Sequence, residues 1–305
     1  MSTDIMKIPV PTANDLFFSG KTFEPQQLEE LEKAFFGDVI ARNGTFKTTN
    51  HRRLDDLNKI AAKHLPADRP LKIMDVAVSS GISTGEWTRF LQNSGIQHQM
   101  IAGDLLVHAW LISIGSRLRV LADKTGYQLQ LDIGGNAIRT PLRKRNWLRH
   151  GLSILAIKLV MLRAAPALQR ASPGQIRDLP LTRLGVRYRP LQLVSRSLRE
   201  FEHIKVVEDD ILNNLNYRSS FHVLRAANIL NRIYFDDTIL TAMLRNLRSR
   251  LVPRGLLIVC KTTESDSVNH ATLFKLQEDG RLEVVERLNS GSEVEELALG
   301  LDPRL

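Results

Sequence analysis

Residues 71 to 81 read Leu-Lys-Ile-Met-Asp-Val-Ala-Val-Ser-Ser-Gly, an apolar run that meets one acid and then a turn of small side chains. A strand of this composition brings Asp75 to its carboxyl end. Keeping Ala77, Ser79, Ser80 and Gly81 small lets the backbone pass close under a ligand, with no bulky Cβ substituent in the way. A second apolar run, His98 to Ala102, ends at Gly103-Asp104, and Asp104 stands 23 residues beyond Gly81. A carboxylate at about that distance from a small-residue turn is placed to accept hydrogen bonds from the two hydroxyls of a ribose. The chemistry these residues suit is recognition of a nucleoside.

The elements that must position them follow in order. Ser83-Thr-Gly-Glu86 has capping-box spacing, Trp87, Phe90 and Leu91 recur at helical intervals, and Gly95 supplies a stop. Upstream, the spacing predicts a helix over Pro25–Phe36 and another over Asn50–His64, with Leu54, Leu57, Ile60 and Ala61 on one face and Pro66 beyond its end. His51, Arg52 and Arg53 open that second helix, either as a solvated first turn or as a wall of the ligand cleft. Downstream, His203–Val207 and Phe221–Ala226 read as strands. Asp236-Asp237 caps a helix carrying Leu240, Met243, Leu244, Leu247 and Leu251, and Ala271–Leu288 reads as a hairpin turning at Asp279-Gly280.

The turn after the first strand resembles motif I of the class I S-adenosylmethionine-dependent methyltransferases, whose usual form is acidic-x-Gly-x-Gly-x-Gly. Gly81 keeps the third glycine, and Ala77 and Ser79 replace the first two, similar to the Ala-Ser-Thr-Gly form of the chemotaxis-receptor glutamate methyltransferases. Ile204-Lys-Val-Val-Glu-Asp-Asp-Ile-Leu212 resembles the family's third strand and its acid, Asp210 being better aligned than Asp209. Asn228-Ile-Leu-Asn-Arg-Ile-Tyr-Phe235 looks like the segment closing the fourth strand in the chemotaxis enzymes. Leu251-Val-Pro-Arg-Gly resembles the lead into the fifth strand, with Arg254 where the family has its first glycine. The resemblance covers residues 71 to 104 and 203 to 288. It implies an α/β fold, a Rossmann-like seven-stranded methyltransferase sheet that is mostly parallel with the last strand antiparallel. It also implies S-adenosyl-L-methionine as cofactor. The cofactor-binding residues would be Asp75, Ala77, Ser79, Ser80, Gly81, Asp104, Asp210, Ile211 and Asn228, with Asp104 on the ribose and Asp210 on the adenine amino group. No metal is implied.

Between the second and third strands lie nearly 100 residues where a helix and short loops would suffice. From Ile114 to Glu200 the chain holds 17 Lys and Arg against 4 Asp and Glu, a net of +13 within a total of +9, so the rest is mildly acidic. Arg119–Ile138 alternates polar and apolar residues around turn signals, as a small hairpin or ribbon does. Asn146–Gln169 reads as a helix, with an apolar run of 11 residues, Leu152–Leu162, interrupted by Lys158 and too short to span a bilayer. Arg143, Lys144, Arg145, Arg149, Arg163 and Arg170 surround it. Three roles stay open: a lid helix with solvated charges, contact with an anionic membrane surface or a lipophilic ligand, and nucleic-acid binding, which ranks lower because interleaved aromatics are few. The expected organisation is a helical segment over 1–70, a core over 71–110 and 201–305, and a basic insertion or lid over 111–200.

With 305 residues, 43% of them hydrophobic and 25% charged, the chain suits a globular enzyme and excludes the fibrous and disordered classes. No basic segment followed by an apolar stretch opens it and no apolar run approaches about 18 residues, so a cytoplasmic location, peripheral to the membrane if the insertion touches lipid, is the expectation. Cys260, alone in an apolar strand, reads as a buried thiol. Methyl transfer is an in-line displacement, so positioning and water exclusion supply much of the catalysis. Asn228 and Tyr234 are the candidates to line the reacting centre, His108, on an expected helix after Asp104, is a candidate base, and His222 reads as a ladder residue. The expected function is methylation of a small-molecule, lipophilic acceptor. The alternatives are a nucleic-acid methyltransferase and a non-catalytic cofactor-binding protein on the same scaffold.

Overall fold

The computed structural model of the chain describes residues 9–303, apart from 43, 45, 46, 48–50, 67, 68, 172–178, 214, 215 and 264. The described elements run α1 (Ala13–Phe17), α2 (Pro25–Asp38), α3 (Asp55–Ala62), β1 (Leu71–Val76), α4 (Ile82–Asn93), β2 (His98–Asp104), β3 (His108–Ile114), β4 (Leu118–Asp123), β5 (Gln128–Ile133), β6 (Asn136–Arg139) and α5 (Lys144–Leu168). They continue with β7 (Val186–Gln192), β8 (Ile204–Glu208), β9 (Phe221–Ala227), α6 (Asp237–Arg250), β10 (Leu251–Thr262), β11 (Asn269–Leu276), β12 (Leu282–Leu288) and α7 (Glu295–Leu299). Contacts divide the chain into two units, one of residues 1–49 with 106–193, the other of residues 50–105 with 194–305. The segment expected as one N-terminal piece is therefore split. α1 and α2 bury Leu16, Phe35 and Phe36 with Leu111, Leu121 and Leu129 of the first unit, whereas α3 packs Leu54, Leu57 and Ala61 with Ile73 and Trp87 of the second.

The second unit is built on a seven-stranded sheet in the order β12-β11-β10-β9-β1-β2-β8. β1 pairs in parallel with β2 and β9, β2 with β8, and β9 with β10. The antiparallel closure enters with the terminal hairpin, β11 running against β10 and β12 against β11, so the edge strand β12 points along the parallel five. Gly280 takes φ 85° in the hairpin turn, as the Asp-Gly signal requires. Side chains leave the parallel strands alternately to two cores, which is why those strands read as unbroken apolar runs. Met74, Val76, Leu224, Leu257 and Val259 meet α6 on one face; Ile73, Val223, Ile258 and Cys260 meet α3 and α4 on the other.

Helix ends explain where local signals held and failed. Asp236 caps α6 by accepting from the Ile239 N–H. The capping box expected at Ser83–Glu86 does not form, because α4 starts earlier: Gly81 at φ 79° is its N-cap, Ser83 lies inside the helix, and Glu86 Oε1 instead accepts from the Arg52 N–H at 2.9 Å. α3 begins at Asp55 after a turn; Asn50, the expected start, lies outside the described residues.

In the first unit the expected ribbon is one part of a five-stranded antiparallel sheet, β6-β5-β4-β3-β7. His108, expected on a helix, is the first residue of β3 and faces Gln192 across the ladder; the alternation of Ala109, Leu111 and Ser113 with Trp110, Ile112 and Ile114 has the strand period of two. α5 covers one sheet face with Ile154, Ile157, Met161, Ala164 and Leu168. It is one helix long and apolar enough to cross a membrane by length and composition, which corrects the expectation from uninterrupted apolar runs: Ala164, Ala165 and Ala167 prolong an apolar segment that contains only Lys158 and Arg163. The helical path is broken at His150 and carries Pro166 near its end.

Candidate functional site

β1 is the point where the sheet's connectivity reverses: the chain moves outward on one side through β2 and β8, then returns to β9 on the other. In an open parallel sheet a crevice opens there, beyond the carboxyl ends of the strands. The turn leaving β1 is strained, with Ala77 at φ 56°, Ser79 at φ 57° and Gly81 at φ 79°. Ala and Ser with positive φ cost on the order of 1 kcal/mol each, and such residues cluster at ligand sites. Asn228, leaving the adjacent strand β9, also takes positive φ, at 61°. Two loops in left-handed conformation thus border the same crevice.

Asp104, half-buried at the end of β2, accepts the Ser79 N–H on Oδ2 at 2.7 Å. The bond ties the carboxylate to the strained turn. In that turn and the first turn of α4, Ser79 Oγ, Ser80 Oγ and Ser83 Oγ are buried without a hydrogen-bond partner among the described residues. Buried hydroxyls are normally satisfied, and these three could be satisfied by a polar ligand. Gly81 serves packing as well as backbone freedom, since a Cβ built on it would overlap Leu198 Cδ2. Leu198 sits in the 3₁₀ turn Ser197–Glu200 and packs with Val78, Ala102 and Val194, while the Ser195 N–H donates to Ser80 O at 2.7 Å.

Asp75 has a structural employment that its place in the motif does not reveal. Its carboxylate lies opposite Arg225 in the β1–β9 register and is gripped by it in a forked pair, Nε to Oδ1 at 2.9 Å and Nη2 to Oδ2 at 2.6 Å. Thr84 Oγ1 donates to Oδ2 at 2.7 Å. Arg225 also donates to Asn58 Oδ1 and Ser83 O, both at 3.2 Å, and lies over the Trp87 ring at 4.1 Å. β1, β9, α3 and α4 are joined at one buried ion pair.

Asn228 is likewise spent on the scaffold: Oδ1 accepts from the Thr262 N–H at 2.7 Å and Nδ2 donates to Thr262 Oγ1 at 3.2 Å, fixing the end of β9 to that of β10. Asp209 and Asp210 part company. Asp209 is buried against Arg250 at 2.7 Å, whereas Asp210 is half-buried in a turn, accepting from the Leu212 N–H and Asn213 Nδ2. Ile211 is buried in the core beside it.

No family model and no curated protein matches the chain. Among solved structures it is similar to the citrinin polyketide synthase CMeT domain, at 13% identity and TM-score 0.35, over 79% of this chain and 41% of that one. It is also similar to the CurJ carbon methyltransferase, at 12% identity and TM-score 0.33, over 70% and 35%. N-methyltransferase NodS from Bradyrhizobium japonicum WM9, in complex with S-adenosyl-l-homocysteine, matches at 10% identity and TM-score 0.34, over 79% and 74%. The chain thus spans well under half the length of the first two. Likenesses this distant carry no weight for activity, and the strand order stands on its own. The sheet is a Rossmann-like, mostly parallel sheet closed by an antiparallel hairpin.

Of the other sequence candidates, Tyr234 stands on the turn after β9 with 57% of its surface exposed. His108 belongs to the antiparallel unit, not to the sheet carrying the crevice. His222 is a ladder residue: Nδ1 accepts the Lys72 N–H at 2.9 Å, and burial, with Arg69 and Lys72 nearby, lowers its pKa. Burial pushes the Cys260 thiol up to about 12, Asp56 adding to the effect. Sequence reasoning missed Arg225 and gave Arg53 too little weight. Arg53 lies among Cys260, Arg225, Glu86 and Asp75, its Nε buried without a hydrogen bond among the described residues and its pKa lowered chiefly by desolvation. A lone arginine inside the apolar strand Phe-His-Val-Leu-Arg-Ala-Ala signals a buried acid, but which acid it meets is set only by the pairing of β1 with β9.

Proposed function

We propose that the chain is an S-adenosylmethionine-dependent methyltransferase acting on a small-molecule acceptor. The observation that supports this best is the strained small-residue turn at the topological switch point, held by its Ser79 N–H to Asp104 and bordered by unsatisfied serine hydroxyls. Those residues fit a nucleoside-bearing cofactor. The turn Ala77–Gly81 would pass beneath it, Asp104 would accept from the ribose hydroxyls, and Asp210 beside Ile211 would meet the adenine edge. When bound, the cofactor supplies an electrophilic methyl group for in-line displacement.

The chain's own contribution is geometric. The Asp75–Arg225 pair fixes β1 against β9, and Asn228 fixes β9 against β10, so the loops bordering the crevice are held from below by buried bonds. Asn228 is therefore a positioning residue, and Tyr234, exposed on the same loop, is the side chain proposed to meet the acceptor. Holding acceptor and methyl donor in line and excluding water supplies much of the rate in such a displacement. A lipophilic acceptor and a cytoplasmic location complete the proposal. A thermal-shift titration of the full chain tests it. S-Adenosylmethionine and S-adenosylhomocysteine should each raise Tm with concentration, as ligands of the folded state do, while NAD leaves it unchanged. A rise with NAD and none with either sulfur compound contradicts it.

A further inference from the structure

The antiparallel unit carries a surface that methyl transfer does not use. α5 buries Ile154, Ile157, Met161, Ala164 and Leu168 against Ile112, Val120, Ala122 and Leu131. Leu148, Leu152, Leu155, Leu159 and Leu162 recur at alternating intervals of four and three. Beyond the break at His150, Leu152, Leu155, Leu159 and Leu162 fall within an arc of about 80° at about 100° per residue, roughly opposite the buried row. They are exposed, Leu148 by 90%, Leu152 by 87% and Leu162 by 72%. Leucines scattered singly over a surface need no explanation, but a row of four along one helical face, with Leu148 exposed just before the break, does.

We infer that this face seats the antiparallel unit on an anionic bilayer surface, with α5 lying in the plane of the interface. Charge selects the occupant. Read as a heptad from Leu152, the leucines hold positions a and d and the flanking e and g positions include Lys158 and Arg163, with Arg149 just before the break; the helix has five Lys and Arg and no acid. Two copies meeting along the stripe would set cation against cation, which disfavours self-pairing. Anionic headgroups complement the same residues, whose aliphatic stems reach past a leucine row sunk to the acyl boundary. Trp147, with Lys158 Nζ 4.5 Å from its ring centroid, stands at the edge of the stripe. Spanning is disfavoured because the buried row would have to leave its sheet. The inference rests on α5 alone and is independent of the methyltransferase reading.

Co-sedimentation of the full chain with vesicles of phosphatidylcholine alone, and of an equimolar mixture with phosphatidylglycerol, tests it. The chain should pellet with the anionic vesicles and far less with the neutral ones. The Arg149→Glu, Lys158→Glu, Arg163→Glu variant should lose binding on the order of a hundredfold, at roughly fivefold for each cation near the surface. The Leu152→Gln, Leu155→Gln, Leu159→Gln, Leu162→Gln variant should lose it too. Both variants change exposed residues, so circular dichroism and melting should match wild type. Failure to bind anionic vesicles, equal binding to both vesicle types, or undiminished binding by either folded variant overturns the inference. So does a dimer in sedimentation equilibrium that the leucine variant dissolves.

Discussion

Replacing Arg225 by Leu is the most searching single change to the framework under the crevice. Both partners of the Asp75–Arg225 pair are almost wholly buried, with side-chain exposures of 4% and 1%. The substitution removes two hydrogen bonds to Asp75, one to Asn58 and one to Ser83 O, and leaves the carboxylate in the core beside the Thr84 hydroxyl. Breaking a buried pair from one side costs about 3–5 kcal/mol, because an uncompensated charge stays behind. For a unit of this size the corresponding fall in Tm is on the order of 10 °C. Urea denaturation of the full chain measures the loss. Arg225→Lys should recover only part of it, since one ammonium cannot reproduce the fork that grips both carboxylate oxygens. Adding Asp75→Val to Arg225→Leu should recover more, because the second change removes the stranded charge. A loss under about 1 kcal/mol for Arg225→Leu, or a double variant as unstable as the sum of the singles, refutes the reasoning.

Three further outcomes follow from particular residues. Gly81→Ala combines a left-handed φ with overlap on Leu198 and should cost about 3 kcal/mol, part of it regained in Gly81→Ala with Leu198→Ala, as thermal melting will show. His98 has its pKa lowered from 6.5 by burial and by His203, partly offset by its bond to Ile96 O. The unfolded chain therefore takes up the proton first as pH falls: stability is full above about 6.5 and declines below it, and His98→Asn should flatten the decline in urea titrations. Cys260 should resist thiol reagents in the native chain at pH 8 and react fully once denatured, because its ionisation is displaced to about 12.

Much of the fold was written in local chemistry. The apolar run ending at Asp75, the Asp-Gly of the last hairpin and the aspartate cap of α6 each specify structure within a few residues, and each appears where its signal stands. Arg254, standing where the resemblance has glycine, even keeps a left-handed φ of 65°. What was not legible depends on partners far along the chain. Asp75 and Arg225 lie 150 residues apart and meet only through strand pairing. Leu198 fills the space beside Gly81 from a segment with no motif, and β3 and β7 complete their sheet across more than 70 residues. The basic turn before α3 could not be weighed from sequence, since Arg53 differs from Arg52 only in what surrounds it.

Under the proposed function, Asp104, held by the Ser79 N–H at the end of β2, accepts from the ribose of S-adenosylmethionine. Isothermal titration of the wild-type chain and of Asp104→Ala with S-adenosylmethionine tests it most directly. Wild type should bind saturably one to one, and the variant should lose roughly 1.5–3 kcal/mol of affinity, the magnitude for hydrogen bonds to a charged group, while staying folded with its melting lowered by the loss of the Ser79 N–H bond. No binding to wild type, or equal affinity in a correctly folded Asp104→Ala, would contradict it.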